Sequence, residues 1–422
     1  MSMTNHTADT RSVVIVGGGA AGMMAAIAAA DNGAAVTLID KNERLGKKLR
    51  ITGKGRCNVT NDCQLNEFLN NVPTNPKFLY AALSRFDSAD TMEFFEGAGV
   101  PLKVERGKRV FPVSDKAWDV AEAMVRLCRK KNVKIIKGRV SRILAEGGAV
   151  CGVVCGGEII NADAVVICTG GKSYPLTGSD GDGYRLAAEL GHDTVAPTPS
   201  LVPLTSRSGD CAKMQGLSLK NVALSVYHTD SGKRVYEDFG EMMFTHFGMT
   251  GPMILSASAH IKDVSSGKYE ALIDLKPALD EKTLDARILS DFAKNTNKDF
   301  VNSLDALLPQ KMIEVVVRRS GIDGRKKVNS ITKEERRALV EVIKNFRVPI
   351  SGFRPIDEAI ITKGGISVKQ IDPKTMRSKL CAGLYFAGEV IDVDAYTGGF
   401  NLQIAFSTGI LAGENAAINI EK

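Results

Sequence analysis

Three glycines and one acid carry the clearest chemistry in this chain. Gly17, Gly19 and Gly22 follow the spacing G-x-G-x-x-G, directly after the apolar run Val13 to Val16. At that spacing each glycine has a separate task on a dinucleotide. Gly17 makes the tight turn, Gly19 lets the backbone approach a pyrophosphate, and Gly22 lets helix and strand pack closely, with Ala21 in the same turn. The free N–H groups and positive potential at a helix start attract phosphates. Asp40 stands about 20 residues downstream, where a carboxylate accepts hydrogen bonds from ribose hydroxyls, and Lys41 follows it.

These residues need a strand, a helix and a second strand to hold them. Val13 to Val16 reads as a short buried strand, the Ala-rich stretch to about Asp31 as a helix ended by Gly33, and "AVTLI" as the next strand, closed by Asp40. All the pieces fall in order, which makes this a dinucleotide site rather than an incidental glycine-rich turn. "ADAVVICTGGKSYP" is a further buried strand, ending in Thr169 and Gly170. "GLYFAGEVIDVDAYTGGFNLQIAFSTGILAGENAA" reads as a strand, an acid-bearing loop, a Gly-Gly turn and a long apolar helix. No second strand–GxGxxG–helix unit with its own acid is present, so a separate NAD(P)H domain is not expected.

The loop "GKKLRITGKGRCNVTN" (Gly46 to Asn61) is dense in glycine and positive charge. It is not a phosphate-cradling P-loop. Gly53-Lys54 would need glycine at position 48 and Ser or Thr at position 55, and the chain has Lys48 and Gly55.

A chain of 422 residues suggests two or three domains. The net charge of +7 is mild and permits a polyanionic partner. The eight cysteines form no C-x-x-C pair and stand at no zinc-ligand spacing, so a reducing compartment and no metal are expected. The first ten residues carry no signal pattern, and no apolar run reaches the roughly 18 residues a membrane span needs. A cytoplasmic protein, not a membrane one, is the expectation.

The late strand–acid–Gly-Gly–helix arrangement resembles the two-dinucleotide-binding-domain flavoproteins. That resemblance implies FAD. It carries Gly388 and Glu389 to the ribitol and pyrophosphate, and Gly398, Gly399, Asn401 and Leu402 to the flavin ring. It carries Val140, in "GRV", to the strand beside the adenine. The basic loop would then run from the pyrophosphate, near Lys47 and Lys48, past Gly53 to the ring, near Arg56, Cys57 and Asn58. More narrowly, "KKLRITGKGRCNVTN", "MMFTHFGMTGPMIL" and "TKGGISVKQIDPKTM" with the C-terminal motif resemble the BaiN/RdsA/aminoacetone-oxidase-like flavoproteins over nearly the whole chain. Members of that family reduce a conjugated steroid double bond, oxidise aminoacetone, or reduce uridine to dihydrouridine in 23S ribosomal RNA.

The fold expected is α/β: a Rossmann-type FAD-binding domain (1–196 and 355–422) interrupted by an insert at 197–354. In the insert, "VALSVYH" and "YEALIDL" alternate as strands, and "SGKR" is a hairpin turn ahead of "VYEDFG". A small β-barrel-like unit (197–276) would be followed by a helical unit (277–347) and a return strand (348–354). The helical pieces are "LDEKTLDARILSDFAK", "SLDALLPQKMIEVVVRRSG" and "TKEERRALVEVIKNF". Between Lys311 and Arg347 eleven basic residues face five acids. Two helices joined by a basic turn could grip an RNA backbone, or could simply be solvated faces.

All three family chemistries need hydride exchange at flavin N5 and a proton donor or acceptor opposite. The candidates for that group are Cys57, His246 and Tyr396. A thiol can protonate a carbon, but Cys57 could equally be a packed small residue, His246 could order its turn, and Tyr396 could be loop scaffolding. A reductase is favoured, with the charge of the insert tipping the balance toward 23S rRNA over a small-molecule enone or steroid. An amine oxidase releasing peroxide is the third reading. NAD(P)H is the electron donor to test, and the sequence does not fix the oligomeric state.

Overall fold

The computed structural model describes residues 10–264 and 267–418; all but the last of the ten polar N-terminal residues lie outside them. Contacts divide the chain into two units, one formed by 1–199 with 356–422, the other by 200–355.

The first unit is built on a five-stranded parallel sheet. Its order is Leu384–Phe386, Ala164–Ile167, Ser12–Val16, Ala35–Asp40, Lys134–Lys137. The three middle strands are nearly continuous runs of Val and Ile because both faces of a parallel sheet are covered. The helix Ala20–Asp31 is buried from Ala21 to Ala29, so it has no polar face to show water. Its small side chains have a packing reason. The helix Phe400–Ala417 lies against it so closely that a Cβ on Gly409 would stand 2.5 Å from the Ala21 carbonyl oxygen, and one on Gly413 would collide with Ala25. A helix from the end of the chain thereby packs along the first helix, with its own N-terminus beside the short strand Thr60–Asn61.

Two three-stranded antiparallel sheets and the strand pair Thr194–Ser200 with Ile361–Ile366 complete this unit. Val140–Glu146, Ala149–Cys155 and Glu158–Asn161 form a meander between the parallel strands at 134–137 and 164–167. Thr60–Asn61, Arg109–Pro112 and Leu102–Glu105 form the other, and anchor the far end of the glycine-rich loop.

The second unit contains a seven-stranded sheet in the order Phe346–Ile350, Tyr269–Asp274, Ser218–His228, Lys233–Thr245, Gly248–Thr250, Leu204–Thr205, Gly352–Phe353. The first and last strands are halves of one segment, and the Ser351 N–H donates to the Thr205 carbonyl at 2.9 Å. The sheet therefore curls until its ends meet in the chain itself. Its apolar face packs on the helices Glu281–Ala293, Gln310–Ser320 and Lys333–Lys344. Two of these start where a side chain can cap them. Asp280 accepts from the Thr283 N–H, and Thr332 and Glu335 form a reciprocal capping box. The stretch 304–309, read above as helical, is not. Pro309 caps the helix that begins at Gln310, because proline cannot donate within a helix interior.

Candidate functional site

The glycine turn sits at the C-terminal end of the strand Ser12–Val16. Gly17 has φ +103, and a Cβ there would stand 2.5 Å from the Cys168 carbonyl oxygen on the neighbouring strand's exit. A Cβ on Gly22 would overlap the Gly17 carbonyl oxygen, so helix and turn are in direct backbone contact. A Cβ on Gly19 would meet nothing within 4 Å. The turn is therefore closed on its protein side at Gly17 and Gly22, and open at Gly19.

Asp40 is fixed by backbone donors. Gly18 N–H donates to its Oδ2 at 2.6 Å and Asn42 N–H to its Oδ1 at 2.7 Å. Each carboxylate oxygen keeps a second lone pair able to accept a further donor. Lys41 is turned to other work. With Arg139 it holds Asp180 and Asp182, Lys41 Nζ lying 2.6 and 2.9 Å from their carboxylates. Burial pushes the Asp182 carboxyl up, but Arg139 and Lys41 outweigh it and hold the group below the ordinary carboxylate range. Val140 is buried in the strand that follows Arg139.

The basic loop is two short helical turns broken at Thr52 to Lys54, where Gly53 and Lys54 both adopt left-handed backbone. Lys47 Nζ donates to the Leu176 carbonyl at 2.6 Å. Lys48 Nζ donates to Ser173 Oγ and Glu389 Oε2, each at 2.6 Å. Arg56 forks onto Glu105 and Asp115 over the Phe111 ring, and those carboxylates raise its pKa further. Cys57 is fully buried in a left-handed conformation, and burial pushes its thiol up to about 12. So placed, it packs as a small apolar side chain.

Three further segments converge on the cradle. After the strand Ala164–Ile167, Gly170 turns the chain with φ +73. Gly388, with φ +76, sits against Ala21, and its N–H donates to Thr408 Oγ1 at 2.9 Å. The Glu389 carboxylate accepts from Lys48, Ser173 Oγ (2.9 Å) and the Thr362 N–H (2.9 Å). Thr362 Oγ1 in turn accepts the N–H groups of Lys172 and Ser173. At Gly399, no side chain caps the helix that starts at Phe400. Asn61 donates to the Gly398 carbonyl at 3.0 Å, and Asn401 grips Ala395 by both its N–H and its carbonyl. Leu402 and Tyr396 are half-buried beside this turn. His246 is exposed in the second unit, its ring edge-on to Phe247, in the turn after the strand Lys233–Thr245.

The residues present suit a bound dinucleotide. Two helix starts, at Gly19 and Gly399, have no side-chain cap. Asn58 Oδ1 and Thr169 Oγ1 are buried polar atoms without a hydrogen-bond partner. Such atoms in a native fold call for a partner outside the chain.

The pattern of the HI0933-like protein Rossmann domain family matches residues 11–415. The chain belongs to that family. Within the HI0933-like family it is a flavoprotein oxidoreductase of the BaiN/RdsA-like kind, similar along its length to proteins of two activities. It is 33% identical over 392 residues to a 3-dehydro-bile acid delta(4,6)-reductase of Clostridium scindens, covering 92% of this chain and 94% of that one. It is 28% identical over 377 residues to a ribosomal RNA dihydrouridine synthase of Escherichia coli, covering 89% and 90%. In fold it is similar to a flavocytochrome c3 fumarate reductase (TM-score 0.52, 18% identity, 97% of this chain and 78% of that one). It is similar also to the 3-ketosteroid delta1-dehydrogenase of Sterolibacterium denitrificans (TM-score 0.50, 12% identity, 97% and 100%).

Several residues of this HI0933-like site carried no signal of their own in the sequence. Ser173 and Thr362 lie inside the stretches "TGGKSYP" and "TKGG", where only the glycines stand out, yet both hold Glu389. Tyr184 is another: its hydroxyl is buried without a partner, and burial, with the charges of Glu389 and Asp392, pushes its pKa up. Asp392 itself is raised, chiefly by burial, although Asn75 donates to it at 3.0 Å.

Proposed function

We propose that this protein reduces a carbon–carbon double bond conjugated to a carbonyl, with uridine of 23S ribosomal RNA as the first substrate and NAD(P)H as the electron source. One observation carries the reading: relatives named for delta(4,6)-reduction and for dihydrouridine synthesis match nearly the same full length of chain. Both names describe hydrogen added across a double bond beside a carbonyl. A residue-level fit to one substrate is not required for that shared step.

Gly17, Gly19, Gly22, Asp40, Thr169, Gly388, Gly398 and Gly399 would hold FAD, which supplies the hydride chemistry when bound. The chain supplies the rest. The uncapped helix start at Gly399 offers N–H groups and positive potential to developing negative charge. Lys48, Glu389, Ser173 and Thr362 tie four segments into one wall. Tyr396 is the proton donor we assign, because it is partly exposed in the first unit while the Cys57 thiol is buried and held neutral.

The RNA preference rests on the insert and on net charge. Of its basic residues, Arg318 and Arg319 hold Asp210, Lys326 holds Glu335, Lys327 holds Asp299, Arg336 holds Asp285, Lys344 holds Asp274 and Arg347 holds Glu270. The outer pairs among these, Lys327–Asp299 and Arg347–Glu270, contribute about 0–1 kcal/mol, so re-pairing their cations with phosphates costs little. Arg325, Lys333 and Arg337 are exposed. A small enone is the second reading, favoured by the 33% identity to the bile-acid reductase.

The test is nucleoside mass spectrometry of 23S rRNA from the source cell with and without the gene, beside NAD(P)H oxidation by the purified holoprotein with a 3-keto-4-ene steroid. Loss of dihydrouridine on deletion, restored by the intact gene, supports the first reading. Unchanged rRNA with steroid-dependent NAD(P)H oxidation supports the second. Neither signal, with amine-dependent peroxide release, overturns the reductase reading.

A further inference from the structure

The hairpin between the strands Leu102–Glu105 and Arg109–Pro112 turns on Arg106, Gly107 and Lys108. Gly107 (φ +76) and Lys108 (φ +59) are both left-handed, which makes the turn tight. Its tip is tied to the Gly398–Gly399 turn. The buried Asn61 side chain donates to the Gly107 carbonyl at 3.1 Å and to the Gly398 carbonyl at 3.0 Å. Thr60, on the same short strand, lies so near Gly399 that a Cβ there would overlap its backbone. The Asp62 N–H donates to the Lys108 carbonyl at 2.7 Å. A surface hairpin is thereby held as the immediate neighbour of the turn before the last helix.

Three cations around this hairpin are already paired. Arg56 and Lys103 share Asp115, and Arg56 also binds Glu105. Lys108 binds Glu67 at 2.6 Å, with Asp62 adding to the attraction. Arg106 and Arg109 differ. Both are exposed, and among the described residues neither is bonded to a carboxylate. Arg109 Nε donates to the Arg106 carbonyl at 3.0 Å, which ties its guanidinium to the hairpin tip. A guanidinium held by Nε keeps its Nη edge as a two-donor fork, and that fork matches two oxygens of a phosphate. RNA carries a phosphate on each side of an internal nucleoside, so a uridine whose base reaches the Gly-Gly turn brings phosphates with it. A free enone brings none.

On the reading that the substrate is uridine in ribosomal RNA, we propose that Arg106 and Arg109 bind the backbone phosphates flanking that uridine. They are then specificity-determining residues, selecting RNA over a free enone.

FAD-loaded wild type, Arg106→Gln, Arg109→Gln and the double variant are given NAD(P)H and 23S rRNA from cells lacking the gene. Nucleoside mass spectrometry follows dihydrouridine, and filter binding at several salt concentrations gives Kd and its salt dependence. Arg142→Gln is the control, removing an equal charge from an exposed position on a different sheet of the same unit. Each hairpin substitution should raise KM and Kd about tenfold with kcat nearly kept. The slope of log Kd against log salt should fall by about 0.7–0.9 per arginine removed. FAD content and Tm should hold in all variants, and Arg142→Gln should bind as wild type does. The proposal is overturned if wild type forms dihydrouridine and the hairpin variants match it in KM, Kd and slope; the RNA reading then stands without these residues. It is overturned equally if Arg142→Gln loses as much affinity, or if kcat alone falls. If wild type neither binds nor modifies the rRNA, the RNA reading fails and takes the proposal with it.

Discussion

Lys48 Nζ lies 2.6 Å from Glu389 Oε2, across 341 positions of chain. The pair joins the glycine-rich loop to the turn after the last parallel strand. Both side chains are mostly buried, at 23% and 13% exposure, so the attraction is little screened. Removing one partner leaves the other charge short of a bond worth about 1.5–3 kcal/mol. Lys48→Met and Glu389→Gln should each raise the Kd for FAD about tenfold, the equivalent of about 1.4 kcal/mol. Equilibrium dialysis or flavin fluorescence on the apoprotein reads this directly. Unchanged FAD affinity in both variants would show that the pair is incidental to the cofactor.

The Gly-Gly turn before the last helix leaves no room for a side chain. Gly399 has φ +99, and a Cβ there would overlap the backbone of Thr60. A left-handed alanine alone costs roughly 1–2 kcal/mol, and the overlap must also push the helix start away from its neighbouring strand. Gly399→Ala should therefore emerge with little bound flavin and a lowered Tm. Gly413→Ala should lower Tm too, since it separates the two helices at Ala25, but should retain more flavin, being about three and a half turns from the helix start.

The thiol of Cys57 is buried and pushed up to about 12, so it stays neutral through the physiological range. Iodoacetamide at pH 8 should label partly exposed Cys151 well before Cys57 in the native holoprotein, as peptide mass spectrometry would show. The linkage has a definite sign. With an ordinary value near 9.0 when unfolded, the folded protein holds this proton more tightly. The stability it contributes is complete below about pH 9 and is lost as pH climbs toward 12. Cys57→Ala should flatten that alkaline loss. Rapid labelling at pH 8 would instead make Cys57 an accessible acid and revive it as the proton donor.

Local chemistry made much of this fold readable. The run Val13 to Val16, the three glycines and Asp40 specify strand, turn, helix and strand because each acts on its immediate neighbours. The hairpin at "SGKR" and the capping box at Thr332 are local in the same way. Pairings across the chain were not readable. Nothing near Glu389 announces Lys48, and nothing near Arg336 announces Asp285, 51 residues away. That second kind of pairing is why a count of basic residues overstated the free charge of the insert. The burial of Cys57 was hidden likewise, because a polar, glycine-rich loop gives no sign that one of its residues turns inward.

His192 should give the first loss of stability on acidification. The Ser378 hydroxyl oxygen accepts the N–H groups of Leu380 (3.0 Å) and Cys381 (2.9 Å), which uses both its lone pairs. Its hydrogen is then directed at His192 Nε2, 2.8 Å away, leaving Nδ1–H to donate to the Ala187 carbonyl. The ring is buried against Phe386, on the strand that leads to Gly388 and Glu389. Burial lowers the imidazole pKa, and a second ring proton would face an oxygen with no lone pair left. Stability from this group is therefore present above its ordinary value near 6.5 and is lost as pH falls below that. Tm should be nearly flat from pH 8 to 7 and fall by pH 5.5, with flavin released along with it. His192→Gln, which cannot be protonated, should start from a lower Tm at pH 7.5 but lose less between pH 7.5 and 5.5. An equal loss in wild type and variant would move the acid sensitivity away from His192.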